Sequence, residues 1–182
     1  MKKLMKKALV GILAATMMLG SVCTAYAATG SATEAPAPTK QENVKADNGT
    51  KVNTSSKGTA TVTAVKKTTK KSVSVASKVT VDGVKYTVTK IGANTFANAK
   101  KATKVTLPAT ITSIGAKAFT GAKSVKTIVI NSKKAVSVSK TAFKGVDTKK
   151  MTIKVTNMSK KQLKAFKENL KKAGFKGKVK TA

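Results

Sequence analysis

Ser137 and Lys140 stand at the spacing of a Ser-x-x-Lys pair, in which a lysine amine can activate a serine hydroxyl for acyl transfer. The pattern carries little information here. All 37 basic residues of the 182-residue chain are Lys, so several such matches arise by chance. No supporting motif accompanies this one. Other catalytic sets lack parts. His is absent, which removes His-based triads and the common zinc sites. The single cysteine is Cys23. Of the six acids, Glu34, Glu42 and Asp47 lie before residue 59. Asp82, Asp147 and Glu168 fall in a turn, a loop and a helix, whereas paired-carboxylate hydrolysis needs two convergent acids. No Gly-rich phosphate loop of Walker spacing occurs. The chain is read as non-enzymatic, with no cofactor and no metal.

The lysines themselves offer a different chemistry. The formal net charge is +31. A field of that size attracts polyanions such as teichoic acids, anionic lipid surfaces, sulfated or sialylated glycans and nucleic acid. Lys66, Lys67, Lys70 and Lys71 flank an expected turn. Lys100 with Lys101, Lys123 with Lys126, and Lys133 with Lys134 recur where repeated segments meet. If those segments stack in register, these ten lysines form a basic ladder able to hold an anionic cell-wall or surface polymer. The competing reading is a solvated face that serves solubility by self-repulsion. Sequence-specific nucleic-acid recognition is not expected, because no arginine is present for bidentate base contacts.

The N-terminus places this charge outside the cytoplasm. Lys2, Lys3, Lys6 and Lys7 form a basic start, residues 8–20 an uncharged and mostly apolar run, and Ala25-Tyr26-Ala27 a small-x-small cleavage pattern. The apolar run is shorter than the roughly 20 residues a bilayer needs. Residues 1–27 are therefore expected to be a signal peptide, with no stable membrane insertion after cleavage. A lipidated Cys23 fits less well, since Gly20 and Val22 occupy the places where a lipobox wants a Leu-like and a small residue. Cleavage removes Cys23 and four lysines, taking the formal charge from +31 to +27. The exported chain then has no disulfide and depends on repetitive packing or an adequate core.

Residues 28–58, rich in Ala, Thr, Ser, Gly and Asn with Pro36 and Pro38, contain only Val44 and Val52 as aliphatics. Such a segment buries too little apolar surface to offset ordering entropy and is expected to be a disordered linker. From Thr59 onward the pattern changes. Residues 61–65 and 72–75 alternate polar and β-branched types, a strand signal. Residues 79–81, Asp82-Gly83 and residues 84–91 read as a hairpin, because Asp-Gly tolerates the positive φ of a type I′ turn.

Two segments then repeat at a period of 23. Ile91-Gly92-Ala93-Asn94-Thr95-Phe96-Ala97-Asn98-Ala99 aligns with Ile114-Gly115-Ala116-Lys117-Ala118-Phe119-Thr120-Gly121-Ala122. A looser third copy runs from Val136 through Ala142-Phe143-Lys144-Gly145 to residues 151–155. Each unit holds a short strand, a turn and a brief helical stretch. It is too small to bury its own apolar face, so Phe96, Phe119 and Phe143 are expected to pack one rung apart. The Gly after each Ile is expected to supply a backbone conformation or a close approach that a Cβ would obstruct. Ser159-x-x-Gln162 is a capping box, and Leu163, Phe166, Leu170 and Ala173 follow at helical spacing up to Gly174. Residues 159–182 are thus a cap helix, with Glu168 pairing to Lys172, and a short strand over residues 175–179. A membrane-active helix over 160–173 is the weaker alternative.

The stretch Val105-Thr106-Leu107-Pro108-Ala109-Thr110-Ile111-Thr112-Ser113-Ile114-Gly115-Ala116-Lys117-Ala118-Phe119, with Val88 to Phe96 before it, resembles the BspA-like (Treponema-type) leucine-rich repeats of bacterial surface proteins. The resemblance covers about residues 78–155. It implies a short leucine-rich-repeat-like solenoid of mixed β with short helical turns over residues 59–158, an N-terminal β-hairpin region and a C-terminal amphipathic capping helix. Members of the family are typically exported, and several are adhesins or host-protein binders. That makes a protein ligand on the strand face the alternative to a polyanion. The family commonly carries Leu where Ala102 and Val125 stand, and Cys or Asn where Ala99 and Ala122 stand. Protein recovered outside producing cells should begin at Ala28. N-terminal sequencing checks this, and a secreted chain retaining Met1 would refute cleavage.

Overall fold

Alternation of β-branched and polar residues becomes strand almost wherever it occurs in this chain. The computed structural model describes residues 36–181. The expected signal peptide (1–27) and the first part of the expected linker (28–35) lie outside the described residues. In chain order the elements are β1 (Val44–Lys45), β2 (Lys51–Thr54), β3 (Thr59–Ala64), β4 (Ser72–Ser74), β5 (Lys78–Val81) and β6 (Val84–Ile91). They continue with β7 (Lys104–Leu107), β8 (Ser113–Ile114), β9 (Thr127–Asn131), β10 (Ser137–Val138), β11 (Thr152–Thr156), α1 (Lys160–Lys172) and β12 (Lys178–Thr181).

From β3 to β11 the chain passes back and forth between two sheets, with the β5–β6 hairpin kept in the first and β12 returning to the second after α1. The first has the order β1-β2-β3-β6-β8-β10, with β5 also paired to β6, and the second the order β4-β7-β9-β11-β12. Every pair in the second sheet is parallel. Its register places Val73, Val105, Ile128, Ile153 and Val179 side by side, and Leu107, Ile130 and Val155 beside one another two residues on. In the first sheet Val62, Ile91, Ile114 and Val138 are likewise aligned. All of these except Val179 are buried.

A column of aromatic rings runs through the connections that lead from the first sheet to the second. Phe96 and Phe119 stack with centroids 4.9 Å apart at 16°, and Phe119 and Phe143 at 5.1 Å and 8°. These distances match the interstrand spacing of about 4.8 Å, so ring stacking and backbone ladder share one period. Phe175 extends the column with a tilted contact at 5.2 Å and 50°. Ala99, Ala102, Ala122 and Val125 are all buried. The glycines after Ile91 and Ile114 are explained by close approach. Gly92 N–H donates to Val62 O at 2.7 Å and Gly115 N–H to Ile91 O at 2.8 Å. A Cβ on either would lie 2.9 Å from the same carbonyl oxygen. Neither has a positive φ.

The β5–β6 hairpin has the expected two-residue turn, with Asp82 and Gly83 at φ of 49° and 79° and Val81 paired to Val84. Helix α1 has the Ser159–Gln162 capping box and Gly174 at φ 72° beyond its end. Two details of the terminus differ from expectation. Glu168 pairs with Lys171 at 3.4 Å rather than with Lys172. The last strand begins at Lys178, not at residue 175, because Phe175 turns into the aromatic column.

The disordered-linker reading of residues 28–58 needs correction over its described part. β2 pairs antiparallel with β3, and β1 with β2. Val52 and Ala46 are buried. Before β1, hydrogen bonds hold the chain down. Thr39 N–H donates to Tyr86 Oη at 2.9 Å, Thr54 Oγ1 donates to Thr39 O at 2.7 Å, and Gln41 Nε2 donates to Asp82 Oδ2 at 3.2 Å. A segment that joins an existing sheet need not build a core of its own, so low apolar content did not decide its order.

Phe119 lies between two stacked neighbours and Phe175 touches one, at a tilt. Phe119→Ala should therefore cost about 3–5 kcal/mol and Phe175→Ala clearly less. Chemical denaturation measures both, and an unchanged midpoint for Phe119→Ala would contradict the column.

Candidate functional site

The second sheet is parallel throughout, so all five of its strands start at one edge. For β4, β7, β9 and β11 the chain reaches that edge through connections arriving from the first sheet, and for β12 it arrives from α1. Lys66, Lys67, Lys70 and Lys71 lie in the β3–β4 connection, Lys100 and Lys101 in β6–β7, and Lys123 and Lys126 in β8–β9. Eight of the ten candidate lysines thus lie in connections that lead into the second sheet. Lys133 and Lys134 do not join them. They follow β9 and lead back to β10 in the first sheet, which puts them on the opposite edge.

Backbone hydrogen bonds set the alignment of the strand starts. Thr103 and Lys104 N–H both donate to Lys71 O, at 2.7 and 3.0 Å. Lys126 and Thr127 N–H both donate to Thr103 O, at 2.8 and 3.0 Å. Thr152 N–H donates to Lys126 O at 2.8 Å, and Lys178 N–H to Met151 O at 2.9 Å. Lys71, Thr103, Lys126, Met151 and Gly177 therefore occupy one register position on successive rungs. Gly177 is required there, since a Cβ would run into the carbonyl oxygens of Met151 and Thr148.

The same register brings in lysines that the sequence comparison overlooked. Lys149 stands three residues before β11 as Lys101 stands three before β7, Lys150 follows one position nearer the strand, and Lys176 precedes β12. The pairing of the third repeat was visible in Met151-Thr152-Ile153, and the two lysines before it were the available signal. Lys104, Lys154, Lys178 and Lys180 add charge on the second sheet itself, alternating with its buried residues.

Counter-charge is sparse. Every lysine named here is exposed. Among the described residues the one salt bridge joins Lys171 to Glu168. Asp147 lies in the β10–β11 connection, where its Oδ1 accepts from Lys149 N–H at 3.0 Å and closes a local turn. Rungs about 4.8 Å apart are closer than the Debye length of about 8 Å in physiological salt, so neighbouring charges act on one another. The arrangement can do ion pairing with a polyanion. Ser137 is exposed on β10 and Lys140 is exposed in the turn after it. Asp82, Asp147 and Glu168 lie on a hairpin turn, a loop and α1, and among the described residues no group of three metal-ligating side chains gathers.

A family model described as a BspA type leucine rich repeat region (6 copies) matches residues 89–182, just over half of the chain. The chain belongs to that family. The BspA-type match reaches from β6 to the end and so includes α1 and β12, while β1 to β5 lie ahead of it. Two solved structures are similar. One is a leucine-rich cell surface protein from Faecalibacterium prausnitzii, at 17% identity and a TM-score of 0.43, covering 83% of this chain and 44% of that one. The other is a leucine-rich repeat protein from Bacteroides capillosus, at 18% identity and a TM-score of 0.46, covering 81% of this chain and 99% of that one. The chain thus spans less than half the length of the first. No curated protein matches it.

Repulsion along the BspA-type strand-start edge has a measurable consequence. Lys126→Gln should raise the thermal midpoint by about 1–2 °C in low salt, and the gain should vanish in high salt. A lowered midpoint at low salt would show that Lys126 is held by a partner charge.

Proposed function

We propose that the protein is an exported, non-enzymatic binding module in which residues 59–158 form a short solenoid, closed by residues 159–182. In this reading the signal peptide of residues 1–27 is removed, and the module is secreted, with retention at the cell surface by charge. Its ligand is an anionic polymer of the cell wall or surface. One observation carries the proposal. Eight of the candidate lysines, from Lys66 to Lys126, lie in the connections that enter the second sheet, where Lys71 and Lys126 share one register position, and almost no acid lies beside them. Among the described residues no helix is long and apolar enough to cross a membrane.

The strand face supports a second reading. The outward side of the second sheet carries Thr106, Thr127, Val129 and Thr152 beside Lys104 and Lys154, a mixed surface of the kind a protein ligand can use. In that case the edge lysines serve solubility only.

Purified cell walls, washed through a salt series, separate these readings. Retention at low salt and release by about 0.5 M salt is the expected result. Retention that ignores salt, or none at low salt, would sink the electrostatic reading. Charge reversal of Lys100, Lys101, Lys123 and Lys126 to Glu should abolish retention. Unchanged binding by that variant favours the strand face.

A further inference from the structure

Apart from β5, which branches from β6 and whose outward Thr80 O accepts from Asp47 N–H at 3.0 Å, the two sheets have four outer ends. The first sheet is extended at its N-terminal end by β2 and β1. At its other end β10 packs on α1, where Asn169 Nδ2 donates to Val136 O at 3.2 Å. The second sheet ends on β12, whose Lys178 and Lys180 are exposed, and charge on an edge strand deters further pairing. The fourth end is β4. Among the described residues no strand pairs with it opposite β7, and the strand itself carries no charge.

Neighbouring residues of a strand direct their N–H and C=O groups to opposite sides. Lys104 N–H donates to Lys71 O at 3.0 Å, and Val75 N–H donates to Thr106 O at 2.9 Å. Residues 71, 73 and 75 therefore serve β7. Ser72 and Ser74 turn their backbone groups the other way, where no described residue pairs with them. An open row of this kind is a template for one more strand.

Beyond this edge lies an open cleft of about 410 Å³. Val65, Val73 and Val79 give it apolar surface, and Lys66, Lys67 and Lys70 line it, with no acid among the lining residues. We propose that the cleft binds an acidic peptide segment in extended conformation, which joins the second sheet beside β4. Ser72 and Ser74 set the register of the guest strand. Its carboxylates meet the three lysines, and its alternate side chains rest on the valines. An anionic glycan or phosphate polymer satisfies the lysines but has no peptide backbone to match Ser72 and Ser74. A second copy of this chain is a poor guest, because its β12 is basic and its β4 would bring Lys66, Lys67 and Lys70 against the same lysines.

The probe is a fluorescent hexapeptide of alternating glutamate and valine, titrated onto the full chain at low salt and followed by anisotropy. Its twins, N-methylated at every second residue in either phase, keep the charge and lose half of the N–H donors. Saturable binding is expected, weakened about tenfold by methylation in one phase. Ser74→Pro removes the N–H that faces the cleft and leaves the bonds to β7, a place where an edge strand tolerates proline. It should weaken peptide binding similarly while leaving retention on cell walls unchanged. Lys66→Glu with Lys67→Glu should also weaken it. Equal affinity for the peptide and both twins, or no binding at all, overturns the proposal. Undiminished binding by a folded Ser74→Pro chain overturns it as well. Should that variant unfold, the methylated pair alone decides.

Discussion

Each rung of this molecule is hydrogen-bonded to the next through equivalent residues of parallel strands, and the rest of the structure depends on that register. A spacing near 4.8 Å between neighbouring backbones forces like to lie beside like. For apolar residues the constraint is favourable. Val105, Ile128 and Ile153 share a row, and Phe96, Phe119 and Phe143 form a column whose ring spacing the backbone has already set. No unit could bury its Phe alone, so each is stabilised by its neighbours, and the end units depend on whatever covers them.

For charged residues the same constraint is a cost. Lysines that recur with the repeat are brought within a Debye length of one another, and with five described acids little local compensation is available. The repulsion is bearable because the charges sit on long, exposed side chains that can spread, and because the apolar rows lie on the other face of the same strands. One register thus produces both the core and the basic edge. Changing the register to relieve the edge would dismantle the core.

How much of this was legible in the sequence follows from how local each signal is. The Asp82-Gly83 turn, the Ser159–Gln162 capping box and the period linking Phe96, Phe119 and Phe143 are all short-range or periodic, and each has its counterpart in the structure. Phe175 was missed as a column member because it arrives after a helix and breaks the period. The segment from Thr39 to Thr54 was misread because its order comes from partners far along the chain, Tyr86 and Asp82 among them. Lys133 and Lys134 stand near a repeat junction like the other lysines, and that position alone groups them. Which edge they occupy depends on whether a connection runs into or out of the second sheet, and no local pattern encodes that direction.

The absence of arginine bears on what such an edge can recognise. Arginine's planar fork favours bidentate, oriented contacts, whereas lysine is a hydrated point charge on a flexible stem. A row of lysines meets a line of negative charge without demanding a particular geometry from it. On the proposed reading, its binding would be tolerant of polymer identity and sensitive to salt. Selectivity has to come from groups with fixed direction. Backbone N–H and C=O groups have it, and in the second sheet the uncharged row that remains open is at Ser72 and Ser74. A tolerant basic edge and a directional strand end would divide the work between holding a surface and choosing a partner. The two are continuous in space, since Lys66, Lys67 and Lys70 belong to both. A polymer that fills the edge would then compete with a peptide at the end, so occupancy of one site would be read out at the other.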